Sequence, residues 1–336
     1  MRGAYVLRRL GVAAATIVAI ILFNFVLFRL MPGSPERILL RGIPNVSAER
    51  IEAIRTRWGL NDPVLPVVID EAGVRFVAEN QFFKYLAATA QGDLGLSFVA
   101  RGQDVSRVLG QRLGPTLLLF GLGEAIAIVL GLALGAYSGW RRGGPVDYLG
   151  NGASLLLYAT PYFLLGMMLL LLGAAIGLPT FGMFTTGGAP PDTLARLKDL
   201  GAHLLLPLLT VALGLVGQYA IVMRSSIVET LSEDYVTTAR AMGIKDGRIL
   251  RSHAVPNALL PTVSLIAINL GYVIAGAVTV EVVFNWPGLG TLTVSALEAR
   301  DYPVLQGVFL LLSITVVLAN LAADLVYGLL DPRVRA

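Results

Sequence analysis

Six polar or ionisable side chains, Asn24, Glu124, Gln218, Asn269, Glu281 and Asp324, interrupt runs of residues that are otherwise apolar. In such surroundings a polar group is costly, so each must relay protons, hold a ligand or hydrogen-bond to a neighbouring helix. Glu281 and Asp324 lie near the ends of their runs, which favours interhelical hydrogen bonding or snorkelling. Glu124 falls in the first half of its run and is expected to face inwards, where its carboxylate pairs or meets a cationic ligand. Gln218, Tyr219 and Asn269 could supply hydrogen-bonding groups to a water-filled path.

Self-contained catalytic chemistry is missing. The chain has no cysteine, which excludes disulfides and thiolate metal sites. None of Lys84, Lys198 and Lys245 follows a glycine, so there is no phosphate-cradling GxxxxGK[ST] loop. Gly121-Leu122-Gly123 is a fragment of GxGxxG inside an apolar run and reads as helix packing. His203 and His253 lack an HExxH context, and there is no GxSxG elbow. No catalytic residue, metal ligand or bound cofactor is assigned, and no nucleic-acid partner is expected. Energy for active transport would have to come from another subunit or an ion gradient.

The elements that position these side chains follow from composition. With 55% hydrophobic and 14% charged residues among 336, and a mean hydropathy of +0.72, the chain reads as an all-α polytopic membrane protein. A span needs about 20 apolar residues, and six segments qualify: 10–30, 115–139, 149–173, 201–223, 258–283 and 303–328. Pro161, Pro207, Gly131 and Gly135 are compatible with spans, and the small residues let helix backbones approach. Arg2, Arg8, Arg9, Arg141, Arg142, Arg240, Lys245, Arg248, Arg251, Arg333 and Arg335 fall on one face of a six-span topology. This places both termini on the cytoplasmic side of the membrane. The N-terminal run exceeds a usual signal-peptide core and reads as a retained first helix.

The expected organisation is a tail and first span at 1–30, an extracytoplasmic segment at 31–113, a five-helix core at 114–328 and a cytoplasmic tail at 329–336. In the external segment, Ser47 can cap a helix carrying Ile51, Ile54 and Trp58. A second stretch carries Phe82, Phe83, Tyr85 and Leu86, and Asp104 can cap a third with Val105, Val108 and Leu109. These helices form either a cap packed on the spans or a dock for a delivering protein.

One segment breaks the apolar pattern on the cytoplasmic face: residues 232–261, SEDYVTTARAMGIKDGRILRSHAVPNALLP. It predicts two short helices around a glycine turn. Ser232 is the expected N-cap, Gly243 the left-handed C-terminal residue, and Asp246 opens the second helix, expected to end near Pro256. The bland reading is a solvated loop carrying positive charge. The sequence nevertheless resembles the coupling loop of ABC importer permeases. Asp234-Tyr235-Val236, Thr238-Ala239-Arg240-Ala241, Gly243, His253-Ala254, Asn257-Ala258 and Pro261 follow the pattern "DYVxTARAxG…HAxxNAxxP" of the peptide and nickel branch.

The resemblance runs nearly end to end. Tyr5 to Leu10, Met31 to Pro35, Gly59 to Pro63 and Gly92 to Ser97 each match segments of the first permease of dipeptide, oligopeptide, nickel or glutathione importers. So do Thr160 to Phe163, Leu178 to Gly182, Glu281 to Gly290, Arg300 to Pro303 and Asp331 to Arg335. An insert of roughly fifteen residues between Pro63 and Tyr85 departs from that pattern.

The resemblance implies a type I ABC importer permease of the bacterial cytoplasmic (inner) membrane, working by alternating access. Its implied partners are a second homologous permease, one or two ATP-binding subunits that hold ATP and Mg, an extracytoplasmic substrate-binding protein and membrane lipid. The coupling residues implied in the 232–257 loop are Tyr235, Thr238, Ala239, Arg240, Ala241, Gly243, His253, Pro256 and Asn257. Ala239 is expected to allow close approach of the partner, and Arg240 to pair with an acidic groove. Glu124, Gln218, Tyr219 and Asn269 are the candidate pathway residues, with Glu124 able to contact a peptide amino group. Asp93, Phe284, Trp286, Pro287, Gly288 and Asp301 are candidates for an external gate or dock. Di- or oligopeptides are the leading substrate, with nickel, glutathione or haem as alternatives. Different classes of reading are an ATP-independent channel or carrier and a nontransporting scaffold.

Overall fold

The computed structural model describes residues 3–30, 49, 52, 61–70, 73–100, 102–185, 188–272 and 278–330. The expected Ser47-capped helix, the match at Met31 to Pro35 and the Asp331 to Arg335 ending lie outside the described residues, save isolated positions. Contacts divide the chain into two units. One comprises Met1–Leu10, Leu113–Thr291 and Thr315–Ala336; the other comprises Gly11–Arg112 and Leu292–Ile314.

Helix α1 (Gly3–Leu30) opens the chain. A two-stranded antiparallel hairpin follows, β1 (Val67–Asp70) with β2 (Gly73–Phe76), and then α2 (Gln81–Ala90). The hairpin departs from the all-α expectation and falls within the insert, where β-branched Val67, Val68 and Ile69 favour extended backbone. Asn80 caps α2, its side chain accepting from the Phe83 N–H at 2.9 Å.

The second unit packs Phe25 against the rings of Phe82 and Tyr85, each at 5.3 Å between centroids. Asn24 is fully buried there and donates to Tyr85 Oη and the Gln306 carbonyl, each at 3.2 Å. Asp104 precedes α3 (Val105–Trp140), so the expected separate third helix is the first turns of a long span. Val105, Val108 and Leu109 are buried.

In the first unit, α4 (Pro145–Ala159) and α5 (Tyr162–Ala175) meet at a 103° bend. The single span expected at 149–173 is therefore broken. Pro161 cannot donate to the turn before it, and it pushes Thr160 into extended backbone at ψ 121°. Helix α6 (Thr193–Thr230) is the most enclosed element. Gly131, Gly135 and Gly139 recur every four residues along α3, and at each a β-carbon would collide with α6 at Tyr219, Ala220 and Met223, or Arg224 and Ile227. From the other side, Gly214 meets the Tyr162 ring and Gly217 meets the Ser154 carbonyl and Tyr158. Without a hydrophobic drive between helices in lipid, such backbone approach supplies the contact that holds them.

After α6 come α7 (Asp234–Ala241), α8 (Asp246–Ile249), a π turn (Leu250–Ala254) and α9 (Val255–Tyr272). The helix expected to stop near Pro256 continues through it. Pro256 occupies the first turn of α9, where a missing N–H costs little, and the wide π turn gives slack upstream. The chain closes with α10 (Val278–Val283), α11 (Leu289–Ala299) and α12 (Tyr302–Leu330).

Among the described residues four helices are long and apolar enough to cross a membrane, Tyr5–Arg29, Val105–Trp140, Thr193–Thr230 and Tyr302–Ala322, and the bent pair makes five if counted as one span. The span expected at 258–283 includes residues outside the described set.

Candidate functional site

The 232–257 segment folds into a knob. Helix α7 turns Val236 and Ala239 inwards, where with Ile249 they pack on Trp140, Leu231 and Ile244. Gly243 ends α7 at φ 76°, and the Gly243 N–H donates to the Arg240 carbonyl at 2.9 Å and the Ile244 N–H to the Ala239 carbonyl at 3.2 Å. The left-handed turn expected from the sequence is present. The N-cap differs: Glu233 takes that position, and the Ser232 hydroxyl instead donates to the Glu229 carbonyl at 2.6 Å.

Tyr235, Thr238, Arg240, Ala241 and Gly243 are exposed on the knob, as are Pro256 and Asn257 beside it, while His253 is half-buried. The Asn257 amide donates to the His253 carbonyl at 2.7 Å, across the junction of the π turn and α9. The Thr238 hydroxyl bonds back to the Asp234 carbonyl at 2.9 Å. The Arg240 guanidinium lies 5.9 Å over Trp140 and 3.9 Å from Asp246, an exposed pair worth little by itself.

Ala239 corrects the sequence expectation. It is 3% exposed, so its small size serves packing on Trp140 rather than approach by a partner. Met242, 68% exposed beside the turn, was missed; a large apolar residue next to Gly243 in a polar loop is the signal that could have found it.

The four pathway candidates come together. Tyr219 donates its hydroxyl to Glu124 Oε1. The Asn269 amide donates to Tyr219 Oη at 2.9 Å and to Gln218 Oε1 at 3.2 Å. Helices α3, α6 and α9 thus share one polar chain. Glu124 and Tyr219 are buried, and Gln218 and Asn269 are half-buried.

The external candidates behave differently. Phe284 and Trp286 are 1% and 0% exposed and belong to a core with Leu119, Phe120, Leu206 and Val211. Trp286 Nε1 donates to the Pro115 carbonyl at 2.9 Å. Gly288 is buried against the Glu281 carboxylate, and Pro287 is half-buried. Glu281 accepts from Thr116 Oγ1 at 2.6 Å, Gly290 N at 2.7 Å and Thr291 N at 3.1 Å. The Phe284 to Gly288 segment is therefore a buried joint. Its rings are not surface available to a dock, because they fill the space around a satisfied carboxylate.

Asp301 is likewise enclosed, accepting from Ser97 Oγ at 2.5 Å and from the Phe98 and Val99 N–H groups at 3.1 Å each. Asp93 is exposed and accepts from the Gly95 N–H at 2.9 Å. Of the six external candidates, it alone presents itself fully at the surface.

Arg224 and Asp147 escaped sequence reading. Arg224 Nε and Nη2 contact the buried Asp147 carboxylate at 2.5 and 2.8 Å, joining α6 to α4, and Gly143 N donates to the same group at 2.9 Å. The span expected at 201–223 stopped one residue short of this arginine. Among the described residues there is no group of His, Asp or Glu arranged to hold a metal.

Residues 127–336 match the family model described as binding-protein-dependent transport system inner membrane component. A protein of Brucella suis biovar 1 (strain 1330), provisionally named a peptide permease, is 37% identical over 335 residues, covering 98% of both chains. The glutathione transport system permease protein of Salmonella paratyphi A is 34% identical over 332 residues, also covering 98% of both. An inward-facing structure of the MetNI methionine ABC transporter superposes with a TM-score of 0.54 at 19% identity, covering 67% of this chain and 96% of that one, a likeness of fold. The chain belongs to the inner membrane components of binding-protein-dependent transport systems, as a permease of the peptide and oligopeptide ABC importer family.

Proposed function

We propose that this chain is the first of two permeases in an importer of di- or oligopeptides, with six spans and both termini in the cytoplasm. Its partners are a second homologous permease, one or two ATP-binding subunits and an extracytoplasmic binding protein. ATP and Mg reside on the ATP-binding subunits, and hydrolysis occurs there. The observation that carries this reading is the knob: a folded projection with a buried apolar base, continuous with the end of α6 and, through α8 and the π turn, with the start of α9.

A knob so built moves as a body. When the ATP-binding subunits close on ATP and reopen after hydrolysis, a knob seated in their cleft carries α6 and α9 with it, and the path between the permeases opens alternately to each side. Tyr235, Thr238, Arg240, Ala241 and Met242 are the contact side chains, and Gly243 sets the turn that presents them. Peptide is the favoured substrate from the named relatives; glutathione, itself a small peptide, is the second reading, favoured by the 34% identical glutathione permease.

Gentle solubilisation of the tagged chain from its native membrane tests the proposal. A second permease and one or two ATPases should co-purify, and a binding protein recovered with them identifies the substrate by its own ligand. Recovery of a stable chain without any ATPase would overturn the importer reading in favour of a carrier.

A further inference from the structure

Four carboxylates are buried among the described residues, and three have their acceptor sites well filled. Asp147 takes two bonds from Arg224 and one from Gly143 N. Glu281 takes a hydroxyl and two backbone N–H groups, and so does Asp301. Glu124 differs. Among the described residues it receives one hydrogen bond, from Tyr219, and forms no ion pair. A carboxylate has about four acceptor positions, and buried ones are normally paired or multiply hydrogen-bonded.

The surroundings specify what would complete it. Three vacant acceptor positions suit a group with several N–H donors and a positive charge, and an ammonium has three. Beyond Tyr219, the chain of bonds reaches Asn269 and Gln218 through Asn269 Nδ2 and Gln218 Oε1. Among the described residues, Asn269 Oδ1 and Gln218 Nε2 make no other hydrogen bond. They offer one acceptor and one donor on half-buried side chains. An ammonium next to an amide is the chemistry of a peptide amino-terminus.

We propose that Glu124 is a transient binding site for the terminal ammonium of the transported peptide, with Asn269 and Gln218 receiving the adjoining amide. This rests on the peptide reading of the preceding subsection. Tyr219 occupies one acceptor position of the carboxylate and leaves the others to the ligand. Tyr219 and Asn269 sit on α6 and α9, the two helices that flank the knob, whereas Glu124 sits on α3. Movement of the knob therefore changes the distance between the carboxylate and Tyr219, loading or releasing the ammonium within the transport cycle.

The test is direct binding of radiolabelled trialanine and its N-acetyl form to the purified complete complex without binding protein, with uptake by the same complex plus binding protein measured alongside. The wild-type complex should bind the free amine at least about tenfold more tightly than the acetylated form. Glu124→Gln should bring the two within about twofold, and Glu124→Asp should keep a reduced preference. Equal binding of both forms by the wild type overturns the proposal without recourse to any variant, and so does undiminished preference in Glu124→Gln. Uptake of trialanine without direct binding overturns the site alone. Neither uptake nor binding of any peptide overturns the peptide reading and the site together.

Discussion

Replacing Gly243 with valine isolates the turn that presents the knob. Gly243 holds φ at 76°, yet a β-carbon built there meets nothing within 4 Å. The penalty therefore comes from the backbone, with no collision to add. A left-handed conformation costs an ordinary L-residue roughly 1–2 kcal/mol, and a β-branched one about 3 kcal/mol. If the turn relaxes instead, the bonds from Gly243 N and Ile244 N to the last carbonyls of α7 are lost. Since 1.4 kcal/mol is tenfold, Gly243→Ala should raise the open population of the knob about 5- to 30-fold, and Gly243→Val on the order of 150-fold. Asparagine tolerates this conformation and should stay near wild type. Amide hydrogen exchange across 234–249 in the assembled complex reads the opening, and peptide uptake per ATP hydrolysed reads its consequence. Wild-type protection together with wild-type uptake in Gly243→Val would refute the claim that this turn holds the knob rigid.

Arg224→Ala leaves Asp147 buried without its cation. Its cost should be about 3 kcal/mol, the lower part of the range for breaking a buried pair because Arg224 is partly exposed; thermal melting of the complex measures it, and an unchanged midpoint contradicts the role. Thr116→Val removes the hydroxyl that links Glu281 to Leu289 N and should cost about 1–3 kcal/mol, while Thr116→Ser retains most of it. Chemical denaturation of the purified chain separates the two variants. Deleting residues 64–77 removes the hairpin but keeps Asn80 as the cap of α2. Assembly should survive and delivery by the binding protein should weaken, so unchanged uptake would mark the insert as passive.

Local rules carried the sequence reading where the decisive interaction is local. Gly243 was legible because only a few residue types suit its backbone, whereas Glu124, Gln218, Tyr219 and Asn269 stood out singly as polar groups in apolar runs and the sequence did not show that they share one chain of long-range bonds. The joint around Trp286 was not legible in that way. Its burial depends on Pro115, Thr116 and Leu119, far away in sequence, and the segment's motif does not say which side chains face inwards. Ala239 misled for the same reason, since small size suits an interior as well as an interface. Two prolines show how context decides. Pro161 breaks its span, whereas Pro256 is absorbed at the first turn after a π segment.

The claim that the knob seats in an ATPase subunit is tested most directly by crosslinking. The chain has no native cysteine, so Met242→Cys or Thr238→Cys introduces a single thiol on the exposed face of the knob. In the assembled complex each should crosslink to the ATP-binding subunit, with a yield that changes between ATP-bound and nucleotide-free states. Both should resist a membrane-impermeant maleimide applied from outside. An intact complex in which neither thiol reaches the ATPase, or in which either is labelled from outside, would contradict the account.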